Sequence, residues 1–375
     1  MRLLIATVTA GAGHLQAAAA LEEAWRSLHP DEPVQRLDVL AFTPKLYRKA
    51  YALGYIKLVA HAPELWGLVF DRTDNPNLVR KLTRLRRGLA KRVAPKFARQ
   101  VCRFEPQAVV CTHFMPLEVL GQLKTQAQAQ HKPWPVMVCV VTDFQAHALW
   151  LEPCVDLYCV AAEQTKARLV ARGVPATQVV VTGIPVAPQF AARPDRSQAR
   201  RRLGLRDDLP VLLVLGGGFG VGPMCAILTE INKLDRLVQL VVACGRNEPL
   251  RRELALADWR QPTRVLGFVN NMHELMAAAD LVLTKPGGLT TAEALAVGRP
   301  LLIIQPIPGQ ELANSDFLLE HGAAVKAERV DDLPYRLEQV LEPTRLARLR
   351  RAARALGRPQ AAVEICQRIV QLAAA

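Results

Sequence analysis

Three stretches of this 375-residue chain carry residue types that could do chemistry. The first is Gly11-Ala12-Gly13-His14, which follows the apolar run Leu3–Val8. A glycine turn between a strand and a helix lets backbone N–H groups approach a phosphate, and His14 at its tip could take a proton. The second is Gly216-Gly217-Gly218-Phe219-Gly220, after Val211–Leu215. The third runs Thr284-Lys285-Pro286-Gly287-Gly288-Leu289-Thr290-Thr291-Ala292-Glu293-Ala294. Here a strand ends, Pro-Gly-Gly turns, and Thr290 and Thr291 begin a helix whose orphan N–H groups and positive end converge. Glu293, in the first turn, reads either as a helix-start charge or as an acceptor for a ribose diol. Gln310 and Glu311 open the next helix, and an amide beside a carboxylate suits the vicinal hydroxyls of a sugar. Neither of the first two loops is a P-loop or has the G-x-G-x-x-G spacing. Asp143, in Thr142-Asp143-Phe144, is a second candidate for proton transfer.

Those loops need strands and helices to hold them. Strand-like runs at Leu3–Val8, Ala108–Cys111, Val136–Val141, Leu157–Val160 and Val179–Thr182 alternate with helical stretches. The pattern restarts at Val211–Leu215 and continues through Leu237–Cys244, Arg264–Leu266, Leu281–Thr284 and Leu301–Gln305. Alternation of this kind predicts parallel, doubly wound sheets. The expected organisation is an N-terminal domain at 1–190 and a Pro- and Arg-rich linker at 191–208. A second α/β domain at 209–343 follows, then a helical tail at 344–375 that could pack back on the first domain. Half the residues are hydrophobic and 22% are charged, which excludes a disordered chain. No apolar run approaches the ~18 residues of a membrane span. The short Leu3–Val8 run suits a first βα unit better than a signal peptide. The eight cysteines form no C-x-x-C pair, and Cys111, Cys139 and Cys244 read as buried, reduced thiols. There is no D-x-D motif and no His/Cys cluster with metal-ligand spacing.

The net charge of +14 is concentrated: residues 42–103 carry fifteen Lys/Arg against three acids. Leu78, Leu82, Leu85, Leu89, Val93, Phe97 and Val101 recur at helical spacing among ten basic residues, a basic amphipathic pattern interrupted near Pro95. Phe42, Tyr47, Tyr51, Tyr55, Trp66 and Phe70 lie just upstream. The stripe could simply pack on the core, but that leaves the one-sided charge unexplained. An anionic membrane surface accounts for both, with Tyr51, Tyr55, Trp66, Arg80, Lys81, Arg84, Arg87 and Lys91 facing it. No nucleic-acid-binding signature is present, so nucleic acid is not expected as the partner.

Taken in order, the motifs resemble those of the bacterial processive diacylglycerol glucosyltransferases. The chain is similar, less closely, to the plant monogalactosyldiacylglycerol synthases. More distantly it resembles the N-acetylglucosaminyltransferase of lipid-linked peptidoglycan precursor synthesis. The resemblance runs from Gly11 to about Ala327. It rests on the first glycine loop, on Val141-Thr142-Asp143-Phe144 with His147 and Trp150, and on Val155-Asp156-Leu157-Tyr158. Thr182-Gly183-Ile184-Pro185-Val186, Cys244-Gly245-Arg246-Asn247, the Lys-Pro-Gly-Gly stretch and Pro308-Gly309-Gln310-Glu311 complete it. It implies a GT-B fold: two Rossmann-like doubly wound domains facing across a cleft. It implies that Gly217, Gly218, Gly287, Gly288, Thr290 and Thr291 hold the diphosphate of a UDP-sugar, with Arg246 adding charge. Glu293 would take the ribose, Gln310 and Glu311 the donor sugar, and Phe268 and Val269 the uracil, although Phe268 also reads as a core aromatic. Ala12 and the run Phe219-Gly220-Val221-Gly222 depart from relatives and touch only fine contacts.

The implied reaction is inverting transfer of glucose, or else galactose, from UDP-glucose or UDP-galactose to diacylglycerol. It needs no metal or cofactor. The expected location is the cytoplasmic face of the cell membrane, held peripherally by anionic lipids. His14 is the preferred base, its pKa lowered by the helix end, and Asp143 is its rival. The competing readings are a UDP-N-acetylglucosamine enzyme of the same fold, either a lipid-linked acceptor transferase or a 2-epimerase, and an inactive membrane-binding protein.

Overall fold

Leu3–Thr7 (β1) is apolar along its whole length and buried on both faces, as a central parallel strand must be. In this computed structural model it heads a sheet with β2 (Val34–Asp38), β3 (Ala108–Cys111), β4 (Val136–Val140), β5 (Leu157–Val160) and β6 (Val179–Val181). The structure describes residues 1–9, 11–48, 62–82, 88, 94–192, 195–218 and 222–374. Among these, the strand order of the first sheet is β2-β1-β3-β4-β5-β6, every pair parallel. A second sheet holds β7 (Val211–Leu215), β8 (Gln239–Ala243), β9 (Thr263–Leu266), β10 (Leu281–Thr284), β11 (Leu301–Ile304) and β12 (Ala324–Ala327). Its order is β12-β11-β10-β7-β8-β9, again parallel throughout. Counted from its own first strand, that is the 3-2-1-4-5-6 order of a dinucleotide-binding domain.

The chain divides into two compact units. One comprises residues 1–188, 308–310 and 358–375, the other 189–307 and 311–357. In the first, α1 (Ala12–Leu28) covers one face of the sheet with Leu21 and Trp25, and α2 (Ala361–Ala374) packs beside it through Ile365, Cys366 and Ile369. The opposite face is filled by Leu4, Leu40, Leu117, Leu120 and Met137, among others. The core of the second unit gathers Leu212, Val214, Val242, Leu283, Leu302 and Leu337.

Three expectations change here. The stretch 191–208 is no free linker: Arg196–Arg202 is a helix capped by Asp195, and Arg200 is fully buried with its guanidinium 2.6 Å from Asp280. The tail beyond 343 is not one element either. Pro343–Leu356 stays with the second unit, whereas α2 belongs to the first. The apolar stripe also splits. Phe97 and Val101, on the helix Pro95–Phe104, are core residues. Val79 is buried, while Leu78 and Leu82 face solvent beside Arg80 and Lys81. Leu85, Leu89, Val93, Tyr51, Tyr55, Arg84, Arg87 and Lys91 lie outside the described residues. All eight cysteines are free thiols, and burial raises the pKa of the Cys111, Cys139 and Cys244 thiols. Among the described residues no helix is long and apolar enough to cross a membrane.

Candidate active site

In an open parallel sheet the ligand crevice lies beyond the carboxyl ends of the strands, where the strand order reverses. In the first unit that point is between β1 and β3, and in the second between β7 and β10. The three glycine stretches singled out from sequence, after β1, β7 and β10, border these two points.

Gly11, at φ 98°, turns the chain from β1 into α1, a conformation that glycine adopts without strain. His14 therefore falls in the first helical turn. Its Nδ1 lies 2.9 Å from the Thr112 carbonyl oxygen, just beyond β3, and 2.9 Å from Thr142 Oγ1, just beyond β4. The His113 ring stands edge-on to it at 4.7 Å, and Trp150 is 6.5 Å away. Withdrawal from water lowers the His14 pKa to about 4, opposed by the Thr112 hydrogen bond. Burial, rather than the helix end expected from sequence, is the dominant cause. The imidazole is neutral at pH 7, as a base requires. Asp143 is half-buried one residue beyond Thr142. His147 has both nitrogens engaged, Nδ1 accepting from Leu149 N at 3.1 Å and Nε2 reaching the Phe70 carbonyl at 3.0 Å.

In the second unit, Gly217 and Gly218 follow β7, and Gly245 and Arg246 follow β8. Gly245 has φ 57°, and a Cβ there would stand 2.5 Å from the Gly217 carbonyl oxygen. Only glycine lets the two loops approach this closely. The Arg246 N–H donates to the Gly218 carbonyl at 3.2 Å. Its guanidinium stands 5.2 Å from the Phe268 ring centroid, a cation–π distance. Phe268 is 53% exposed, so it is a presented surface ring and not a core aromatic. Val269, next to it, is half-buried.

Beyond β10, Gly287 is the N-cap of α3 (Gly288–Val297). This helix starts two residues earlier than the Thr290-Thr291 pair suggested. Glu293 is consequently in its second turn and is buried. With no charged group among the described residues to offset the loss of water, its pKa rises to about 8. At pH 7 the carboxyl is therefore mostly protonated, able to donate as well as accept. The Thr291 hydroxyl is buried with no partner among the described residues. Gln310 and Glu311 are the first two residues of α4 (Gln310–Glu320). Glu311 accepts from Ile307 N at 2.9 Å, and its other oxygen is 3.9 Å from where a Cβ on Gly287 would stand. Asn314, one turn on, donates to the Pro286 carbonyl at 3.0 Å. The second unit thus gathers two glycine turns, a helix start, an arginine, an exposed ring and a protonated carboxyl. Together these can hold a diphosphate and a nucleoside.

Sequence reasoning assigned no role to Thr7, Thr112 or His113. The available signal was a threonine at the carboxyl end of each of three neighbouring apolar runs. Among the described residues no group of three His, Cys, Asp or Glu could hold a metal ion.

Comparison with known proteins matches the chain in two stretches. Residues 14–186 match the monogalactosyldiacylglycerol (MGDG) synthase family, and residues 211–369 match the glycosyltransferase family 28 C-terminal domain. The chain is 30% identical to a processive diacylglycerol beta-glucosyltransferase of Bacillus pumilus, covering 88% of this chain and 84% of that one. It is 31% identical to a chloroplastic monogalactosyldiacylglycerol synthase of Spinacia oleracea, over 86% of this chain and 62% of the spinach protein. Among solved structures, Acinetobacter baumannii MurG aligns with a TM-score of 0.62 at 16% identity, over 99% of each chain. Anabaena HepE in complex with UDP-glucose aligns at 0.53 and 15%, over 100% of this chain and 99% of that one. These two show the shared GT-B fold. The chain belongs to the family of the diacylglycerol beta-glucosyltransferases and monogalactosyldiacylglycerol synthases, and it is a glycosyltransferase.

Proposed function

We propose that the protein moves a hexose, glucose in preference to galactose, from a UDP-sugar to diacylglycerol at a membrane surface, with inversion and without a metal. One observation carries the reading: 30% identity over 88% of the chain to a protein named as a diacylglycerol beta-glucosyltransferase. A β-glucoside made from an α-linked UDP-glucose is an inversion, which needs direct displacement. The acceptor oxygen forms its bond to the anomeric carbon as the bond to the β-phosphate breaks. The acceptor proton passes to His14 Nε2, and UDP departs. Asp143 is the alternative base. The glycine turns, the start of α3 and Arg246 would carry the charge growing on UDP. Glu293 would meet the ribose, Phe268 and Val269 the uracil, and Gln310 and Glu311 the sugar.

The lipid acceptor calls for a membrane-facing surface. The helix Pro63–Thr73 presents Leu65, Leu68 and Val69 to solvent, with Trp66 half-buried among them. Leu78 and Leu82 are likewise exposed next to Arg80 and Lys81. Apolar residues with flanking cations suit an anionic leaflet, where each basic residue contributes about 1 kcal/mol. That leaflet would be the cytoplasmic one.

The test is an acceptor assay: the protein, anionic vesicles containing diacylglycerol, and UDP-glucose or UDP-galactose in parallel. A labelled β-monohexosyl lipid from UDP-glucose is expected. Sedimentation with anionic vesicles should weaken as salt rises. Release of UDP without any labelled lipid would discard diacylglycerol as the acceptor. Salt-independent binding to neutral vesicles would discard the electrostatic part.

A further inference from the structure

Three histidines near the first switch point, His14 half-buried and His113 and His147 buried, differ in their backbone partners. His113 Nδ1 accepts from the Met115 N–H at 3.0 Å, and His147 Nδ1 accepts from the Leu149 N–H at 3.1 Å. An amide can only donate, so in both rings Nδ1 carries the lone pair and Nε2 the proton. His147 uses that proton on the Phe70 carbonyl at 3.0 Å. His14 is the reverse case. Its Nδ1 faces the Thr112 carbonyl oxygen at 2.9 Å, and a carbonyl can only accept. The proton must therefore sit on Nδ1, leaving the lone pair on Nε2. The other tautomer would set two lone pairs against each other at hydrogen-bond distance.

Three threonines hold this arrangement. Thr142 Oγ1, 2.9 Å from Nδ1, is a second acceptor for the same proton. Thr7 and Thr112 hydroxyls lie 3.1 and 3.0 Å from the His14 carbonyl oxygen and 3.0 Å from each other. They tether the backbone of the residue whose ring Thr142 orients. All three are buried, Thr7 at the end of β1, Thr112 just beyond β3 and Thr142 two residues beyond β4.

We propose that Thr7, Thr112 and Thr142 are positioning residues that lock His14 in the Nδ1–H tautomer, so that Nε2 alone among these three histidines presents a lone pair to an acceptor hydroxyl. The inference rests on His14 as the base. When Nε2 takes the proton, the Nδ1–H bond to Thr112 and Thr142 becomes charge-assisted and strengthens.

The experiment is a long-range proton–nitrogen NMR spectrum of the full-length protein labelled with 15N-histidine, at pH 7. Signals are assigned by their loss in His14→Gln, His113→Gln and His147→Gln. His14 should show the Nδ1–H pattern, and His113 and His147 the Nε2–H pattern. An Nε2–H pattern for His14 in the wild type overturns the proposal. Thr142→Val should lower kcat about 10-fold, the worth of one hydrogen bond, with KM for the UDP-sugar unchanged. Thr142→Ser should restore most of it. Wild-type kcat in Thr142→Val removes Thr142 from the device. If Thr142→Val does not fold, the wild-type spectrum still decides the tautomer. If His14→Ala retains full turnover while the wild type shows Nδ1–H, the tautomer lock stands and the base reading fails.

Discussion

The two sheets differ in one crossover, and that difference separates their chemistry. In the first unit the chain places one strand, β2, beside β1 before crossing to β3. The loop that meets the first glycine turn is therefore Thr112-His113. In the second unit two strands, β8 and β9, come before the crossing to β10. There the loop that meets the first glycine turn is Lys285-Pro286-Gly287, itself a turn into a helix. The first crevice thus acquires hydroxyls and imidazoles and suits proton transfer. The second acquires backbone N–H groups at a helix start and suits an anion. Both glycine turns look alike as sequence; the strand that returns beside each decides what it can do.

The largest effect that would break this comparison is at His14. His14→Ala should lower kcat by ~10²–10⁴, the usual contribution of a general base. UDP affinity, read by calorimetry, should stay the same, and equal losses in both would erase the distinction between the crevices. The same residue sharpens the comparison through pH. With a pKa near 4, kcat/KM should stay level below pH 6.5 and fall only as pH approaches 4. An acid limb at the ordinary histidine value would mean that burial does not act on the free enzyme.

Next in size is Gly245→Ala. The added methyl meets the Gly217 and Gly218 carbonyls, so one loop must move. UDP affinity should fall about 10-fold, roughly 1.4 kcal/mol. The His14 NMR signature should not change, because the substitution lies in the other unit.

The smallest effect is expected from Glu293→Gln. The carboxyl is already neutral at pH 7, so UDP affinity at pH 6.5 should change less than about threefold, below the worth of one hydrogen bond. Its effect appears in stability. The folded pKa of about 8 lies above the unfolded 4.5, so the folded state holds a proton that the unfolded chain has lost. The stability this adds is complete below pH 4.5 and is lost as pH rises through about 8. Thermal melts of the wild type should therefore fall by several degrees more than those of Glu293→Gln between pH 5 and 8. Parallel melting curves would show that Glu293 is ionised in the folded protein.

Much of the architecture could be read before any coordinates. A central parallel strand is buried on both faces, so it must be a short continuous apolar run; the eight central strands stand out in this way, and the edge strands β6 and β9 are legible beside them. The two strands that do not stand out, Val34–Asp38 and Ala324–Ala327, each form one edge of their sheet. Val-Gln-Arg-Leu-Asp and Ala-Val-Lys-Ala carry polar residues there because one flank of an edge strand meets solvent. Glycine turns and helix starts are local chemistry, so the candidate anion-binding loops were legible too.

What could not be read is what depends on neighbours distant in the chain. The sequence marks His14 but not its partners, because Thr112 and Thr142 stand about 100 and 130 residues away and meet it only through strand order. It marks Glu293 but not its protonation, which follows from burial. It marks Arg200 as part of a charged linker, whereas Asp280, 80 residues on, draws it into the core. Periodicity and turn chemistry act over a few residues and leave their record in the chain itself. Desolvation and tautomer depend on which groups the fold brings within 3–5 Å, and only the packed structure supplies those distances.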